Sequence, residues 1–293
     1  VTGALVTVGF LVGALLLTLA APQLLARWTA LRVVPGQGLF LWQSVSLAGV
    51  AFALLAAPVA ALTVGTDHPR LLLAALGLSG LMLGRLLWSG HVVGTDLRRL
   101  RSELRTRVDL VGERLTLVDS RGAGPADAGA DPRREKVSVL PQPGPTAYCL
   151  PGRHDRIVVS RAVLERLGDD ELGAVLEHEH AHLRQRHDLL LELFQVLHEA
   201  VPARLRAQPA LEEVRLLGEL LADRGAAARV GAPTVGRALV AMATPTTHRQ
   251  VRRRLDALAA PEASLWLRAG LPVVSAGTLA LPFALAAVGL AAR

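Results

Sequence analysis

Four long apolar runs decide the solvent in which this chain folds. Residues 1–26, 33–66 and 269–292 contain no charged side chain, and residues 71–95 are interrupted only by Arg85 and His91. Each run exceeds the ~20 residues that cross a bilayer. Helices of this length in a water-soluble domain would have to show water a polar face, and these have none. The reading is four transmembrane helices, three before a charged middle segment and one after it. Composition agrees, with 51% hydrophobic residues and a mean hydropathy of +0.38 despite that charged middle. The first run lacks a positive leader and runs into Pro22, so it reads as a retained span.

Arginine placement orients the spans, because positive flanks stay in the cytoplasm. Arg27 and Arg32 follow the first span, Arg98, Arg99, Arg101, Arg105 and Arg107 follow the third, and Arg268 precedes the fourth. The opposite side offers Arg70 and Arg293. Both termini are therefore expected outside and the middle segment in the cytoplasm of a cell-membrane protein. Trp28, Trp42, Trp88 and Trp266 fall at the inner boundary and read as an aromatic belt. Arg85, inside the third run, is expected to snorkel toward the inner surface, with pairing inside the bundle as the alternative. The net charge of +7 is accounted for by these flanking arginines, and no nucleic-acid motif accompanies it, so direct nucleic-acid binding is not expected.

The charged segment carries His178-Glu179-His180-Ala181-His182, an HExxH motif. Two histidines four residues apart lie on one face of a helix and can grip a single metal ion, while Glu179 is placed to take a proton from a water that the metal activates. Gly168, Asp169, Asp170 and Glu171 supply a helix start, and Leu172, Val175 and Leu176 follow at helical spacing, so the helix should run to about His187. His180 lies roughly 200° around that helix from His178 and cannot share its metal. Zinc with two histidine ligands needs a third protein ligand and an open position. An extended motif ending in Asp188 would need glycine where Gln185 stands. The better candidate is Glu219, with Asp223 one helical turn later to accept the spare N–H of a ligating histidine. One zinc per chain is expected on His178, His182 and Glu219.

Around the motif, residues 96–110 read as a basic juxtamembrane helix and residues 119–134 as a flexible Gly/Ala/Asp/Pro loop. Short strands are expected at 115–118, 137–140, 146–150 and 156–160. The last, containing Ile157, Val158 and Val159, is the candidate edge strand for main-chain pairing with an extended substrate. Residues 189–201 are apolar but too short to span, and read as a core or membrane-surface helix. His248 and Arg252, just before the fourth span, are candidates for stabilising an oxyanion. Cys149, the single cysteine, excludes an internal disulfide and reads as a small buried hydrophobe. The fold class is thus mainly α: a four-helix transmembrane protein with a small α+β zincin-like metallopeptidase domain inserted between the third and fourth spans. The expected boundaries are 1–97 for three spans, 98–262 for the peptidase and 263–293 for the last span.

Three spans, then Ile157-Val158-Val159-Ser160, then the run from Glu171 through His178-Glu179-His180-Ala181-His182 to Asp188, resemble the BlaR/MecR-type membrane metallopeptidases. They are also similar to the CAAX prenyl and heat-shock membrane endopeptidases. The resemblance covers about residues 35–290, and its specific part is 145–225. It implies that His178 and His182 are zinc ligands, Glu179 the base, Glu219 the third ligand and Asp223 its supporting aspartate. It implies a peptide or protein substrate, and the BlaR/MecR branch implies a cytoplasmic DNA-binding repressor. The chain is expected to lack the sensor domain that follows the fourth span in that branch. A quality-control or CAAX-type endopeptidase and a non-catalytic membrane scaffold are the alternatives. An intramembrane protease fits less well, because Asp169, Asp170, Arg184 and Arg186 flank the motif.

Overall fold

The structure is a computed structural model that describes residues 2–116, 136–152 and 155–291; the expected loop at 119–134 lies outside the described residues. The chain divides into two compact units. The first takes in Val1–Asp96, Leu189–Gly218 and Ala260–Arg293, and the second Leu97–Asp188 and Glu219–Ala259.

Among the described residues, four helices are long and apolar enough to cross a membrane: Thr2–Leu25, Pro35–Thr63, Pro69–Val111 and Leu265–Ala291. The first consists of α1 (Thr2–Leu15), a π-helical turn and α2 (Ala21–Leu25); the others are α3, α4 and α11. In the first unit α3 is the central helix, packed on both α1 and α11. Small residues let these helices approach. A Cβ on Gly13 would come within 2.9 Å of the Phe52 ring, and one on Gly49 within 2.9 Å of the Thr18 methyl. Phe10 meets Phe52 edge-on at 5.2 Å in the space between. Pro58 inside α3 has no N–H for the Leu54 carbonyl, and Ser79 of α4 repairs the gap by donating to Ala53 O (2.7 Å) and Leu54 O (3.3 Å).

Three expectations about this region change. The juxtamembrane helix is not separate: α4 runs unbroken for 43 residues, because no glycine or proline stands between Thr95 and Val111. Trp42 is not part of a belt. It is fully buried against Phe194, ring centroids 5.7 Å apart, whereas Trp28, Trp88 and Trp266 are exposed. Arg85 does not snorkel. It donates to Ala200 O (3.0 Å), Glu199 O (2.8 Å) and Val201 O (3.4 Å) at the C-terminal end of α7 (His187–Ala200), where helix carbonyls lack internal partners. Arg85→Leu should therefore lower stability by about 1–3 kcal/mol, the cost of stranding such acceptors. A thermal melt in detergent against wild type checks this, and an unchanged melting point would contradict it.

The second unit holds one sheet of β1 (Glu113–Thr116), β2 (Lys136–Leu140), β3 (Ala147–Leu150) and β4 (Arg156–Ser160), in the order β1-β2-β4-β3. β2 and β4 pair in parallel, and the other pairings are antiparallel. Ile157, Val158 and Val159 therefore do not form an edge. β4 is bonded on both sides, by β2 and by β3, and its main chain is closed to any further strand. Its side chains are buried on both faces, as three successive apolar residues require. Ile157 and Val159 join Val137 and Val139 against α5 (Arg161–Arg166), α6 (Asp169–Gln185), the end of α8 (Gln208–Val230) and α9 (Ala232–Ala241). Val158 turns the other way, to Leu140, Leu150 and Val108 of α4. The edge strand on that side is β3, which packs along α6.

Candidate metal centre

The helix that carries the HExxH motif is defined at both ends. Glu171 accepts the Gly168 N–H at 3.2 Å, and Asp169 and Asp170 add negative charge in the first turn. At the other end Arg186 adopts φ 48, a left-handed conformation that costs a non-glycine residue about 1–2 kcal/mol. α6 therefore stops at Gln185, two residues short of the expected end, and the chain turns back so that His187, 2% exposed, packs beside His182.

His178 and His182 present their Nε2 atoms 3.1 Å apart. Glu219 of α8 faces both, with Oε2 3.5 Å from His178 Nε2 and Oε1 3.5 Å from His182 Nε2. One donor atom from each of these three residues falls within 4.8 Å of the others. Zinc bonds of about 2.0–2.1 Å in a tetrahedron separate neighbouring donors by about 3.3 Å, so the donor set fits that ion.

Each imidazole is held from behind. His178 Nδ1 lies 2.9 Å from Asp223 Oδ1, which accepts its N–H and leaves the Nε2 lone pair free. His182 Nδ1 lies 2.9 Å from His187 Nδ1, and His187 Nε2 lies 2.8 Å from Gln185 Oε1. One proton order frees His182 Nε2 for a metal: His182 Nδ1–H donates to His187 Nδ1, and His187 Nε2–H donates to Gln185.

Glu219 and Asp223 lie one turn apart on α8, and Gly225 lets that helix reach α6. A Cβ on Gly225 would sit 2.9 Å from Ala181 Cβ, inside the motif. Gly225→Val should push the helices apart, costing about 1–3 kcal/mol of stability and weakening metal binding. Isothermal titration with zinc reads the second effect, and wild-type affinity in a folded variant would contradict it.

Arg254 of α10 (His248–Leu258) completes the cluster, and sequence reasoning missed it. Its Nε and Nη2 donate to Asp223 Oδ2 and Oδ1 at 2.8 and 2.5 Å, and its Nη1 lies 2.9 Å from Glu219 Oε2. Val251, Leu255 and Leu258 pack on the core of the second unit, and Arg254 shares their helical face. His248 and Arg252 are exposed, and neither belongs to the cluster. Asp188 is outside it too, paired with Arg101 at 3.5 Å. His180 also stands apart from the donor set.

These contacts set the charges. Burial disfavours charge on His178, but its bonds to Asp223 and Glu219 outweigh that and raise its pKa to about 9, so a metal that binds Nε2 displaces a proton from it. Burial depresses His182 to about 4, more than the nearby Glu219 carboxylate restores, so it is a neutral donor. Burial works against ionised Glu219 and Asp223, yet a hydrogen bond from His178 and the charge of Arg254 hold Glu219, and hydrogen bonds from Arg254 and His178 hold Asp223, below the ordinary carboxylate range. Glu179 moves the other way, raised chiefly by burial. Cys149, on β3, is half-buried; burial and then the charge of the nearby Glu179 carboxylate push its thiol up to about 12. Alkylation at pH 8 should accordingly be at least about a hundredfold slower than for a free thiol, since only thiolate reacts. Rapid modification of the folded protein would contradict that environment.

Residues 114–211 match the model of peptidase family M48. The matched segment contains the sheet, α6 and α7, and ends before Glu219, Asp223 and Arg254. No match was found among curated proteins or among solved structures. The match supports a metallopeptidase, and the His-His-Glu cluster is a donor set that such an enzyme can use.

Proposed function

We propose that this protein is a membrane-anchored zinc metalloendopeptidase. The observation that carries the reading is the meeting of His178, His182 and Glu219 beside a buried Glu179 within a segment that matches peptidase family M48. His178, His182 and Glu219 hold the zinc, which when bound supplies Lewis acidity and lowers the pKa of a water. Glu179 takes that water's proton as it attacks the peptide carbonyl and passes it to the departing amine. Its burial supports this role, because a carboxylate made more basic by desolvation holds a proton more readily. Asp223 and His187 keep the two imidazoles in the tautomer that presents Nε2, and Arg254 orients Asp223 and Glu219.

The substrate is a polypeptide bound in extended form along β3. Ser160 N–H donates to Thr146 O at 2.8 Å, and the register alternates from there. Tyr148 therefore bonds inward to Val158, while the main chains of Ala147 and Cys149 face the free edge. β3 packs along α6, the helix that carries Glu179, which supports a path for the substrate past the proposed base. Ala147→Pro removes an edge N–H and should raise KM for a peptide substrate with zinc content unchanged.

The arginine bias supports a cytoplasmic peptidase domain, 98–262, with both termini outside, and a DNA-binding repressor is the substrate to test. A reporter fused after Asp67 should be exported and one inserted at 119–134 should not. The opposite pattern would overturn the orientation. Incubation of the reconstituted protein with a co-encoded repressor, with and without a zinc chelator, tests the substrate. Cleavage abolished by chelation supports it, and an intact repressor refutes it.

A further inference from the structure

We infer that α7 lies flat in the bilayer, at the hydrocarbon boundary of the leaflet remote from the turn at residues 64–68, with its exposed leucines against lipid acyl chains. This rests on the reading of the four apolar helices as spans.

The spans themselves serve as depth gauges. α3 ends at Thr63 and α4 begins at Pro69, so these two ends share one level; Gly3 packs against the Thr63 carbonyl, which brings the start of the first span to it as well. At 1.5 Å per residue, Gln43 stands about 30 Å along α3 from that level, and Arg85 about 24 Å along α4. Gln43 Nε2 donates to Leu190 O at 3.2 Å near the start of α7, and Arg85 binds the Glu199 and Ala200 carbonyls at its end. The two ends of a 14-residue helix, about 20 Å long, thus differ in level by only about 6 Å. Between them, Phe194, Leu197 and His198 line a cavity with Ser46, Val50 and Met82. Those three span residues stand about 20–26 Å from the same level. The hydrocarbon core is ~30 Å thick, so all these contacts fall in its far third.

The two sides of α7 differ as such a position requires. Phe194, Leu197 and Ala200 are buried, while Leu189 and Leu193, one turn apart, are 48% and 43% exposed. At a similar level Leu87 and Trp88 of α4 are 68% and 65% exposed, so the leucines extend an apolar band that the spans already present. The helix end is also prepared for a dry setting. Arg206 donates to Val201 O (2.7 Å) and Glu199 O (2.9 Å) and pairs with the Glu199 carboxylate at 2.6 Å, so that two guanidinium groups cover carbonyls that water would otherwise solvate. Arg204, exposed just beyond, is suited to headgroup phosphates.

The test places a nitroxide on single cysteines at Leu189 and Leu193 of the full-length Cys149→Ser protein in liposomes. Leu76 of α4 and Arg252 of α10, labelled likewise, are the references for hydrocarbon and water. Power saturation with oxygen and with a water-soluble nickel chelate should show Leu189 and Leu193 oxygen-accessible and chelate-shielded, as at Leu76, but shallower. Chelate access at both leucines equal to that at Arg252, with Leu76 still shielded, would overturn the inference alone. Chelate access at Leu76 would overturn the spanning reading and this inference with it.

Discussion

Glu179→Gln is expected to bind as much zinc as wild type while peptide hydrolysis falls by roughly 10²–10⁴-fold, the usual contribution of a positioned general base. The amide is isosteric with the acid, and Glu179 is not one of the three clustered donors, so neither the fold nor the donor set should change. What disappears is a buried acceptor able to take a proton. Its environment supports the prediction. Glu179 is 7% exposed, and an amide of the same size fills the same buried space. Hydrolysis is read with a peptide substrate at matched zinc occupancy. Equal rates in the two proteins would remove Glu179 from the mechanism.

The second large effect is expected at Arg254. Arg254→Leu strands the buried carboxylate of Asp223 and the half-buried one of Glu219, both of which the guanidinium now pairs. Losing one partner of a buried ion pair costs about 3–5 kcal/mol, and losing the support behind a metal ligand costs about 10–100-fold in metal affinity. The pH dependence has a definite sign. Hydrogen bonds from Arg254 and His178 outweigh burial and lower the Asp223 pKa in the folded state. The stabilisation is therefore present above the ordinary carboxylate pKa and is lost as pH falls through the lowered value. The gap in melting temperature between wild type and Arg254→Leu should widen from acid toward neutral pH. A gap that is constant with pH would mean that Arg254 acts through packing alone. Arg254→Lys should recover only part of the loss, because an ammonium cannot donate in parallel to both Asp223 oxygens.

What could be read from the amino-acid order follows the range of each interaction. His178, His182, Glu219 and Asp223 come in pairs four apart, and helical geometry alone puts each pair on one face. The four apolar helices were legible for a similar reason, since the bilayer imposes a length that a run of residues meets or does not. Strand existence was local too, but strand order was not. The pairing of β4 with both β2 and β3 depends on a parallel partner, β2, that lies 16 or more residues earlier in the chain. A usable signal was nevertheless present, since Ile157-Val158-Val159 is apolar without alternation, which marks an inner strand buried on both faces. Arg254 was missed because its partner Asp223 is 31 residues away. The trace it leaves is an arginine on the same face as Val251, Leu255 and Leu258, where only a paired charge is tolerated. His187 was hidden in a different way. Its approach to His182 depends on the left-handed Arg186, a conformation that residue identity does not announce.

The claim on which the rest depends is that His178, His182 and Glu219 hold one zinc, and X-ray absorption at the zinc edge of the purified protein addresses it most directly. Stoichiometric zinc is expected in a shell of nitrogen and oxygen neighbours at about 2.0–2.1 Å, without sulfur, with loss of the metal from the His178→Ala/His182→Ala double variant. Sulfur in the shell, or stoichiometric zinc retained by that double variant, would contradict it.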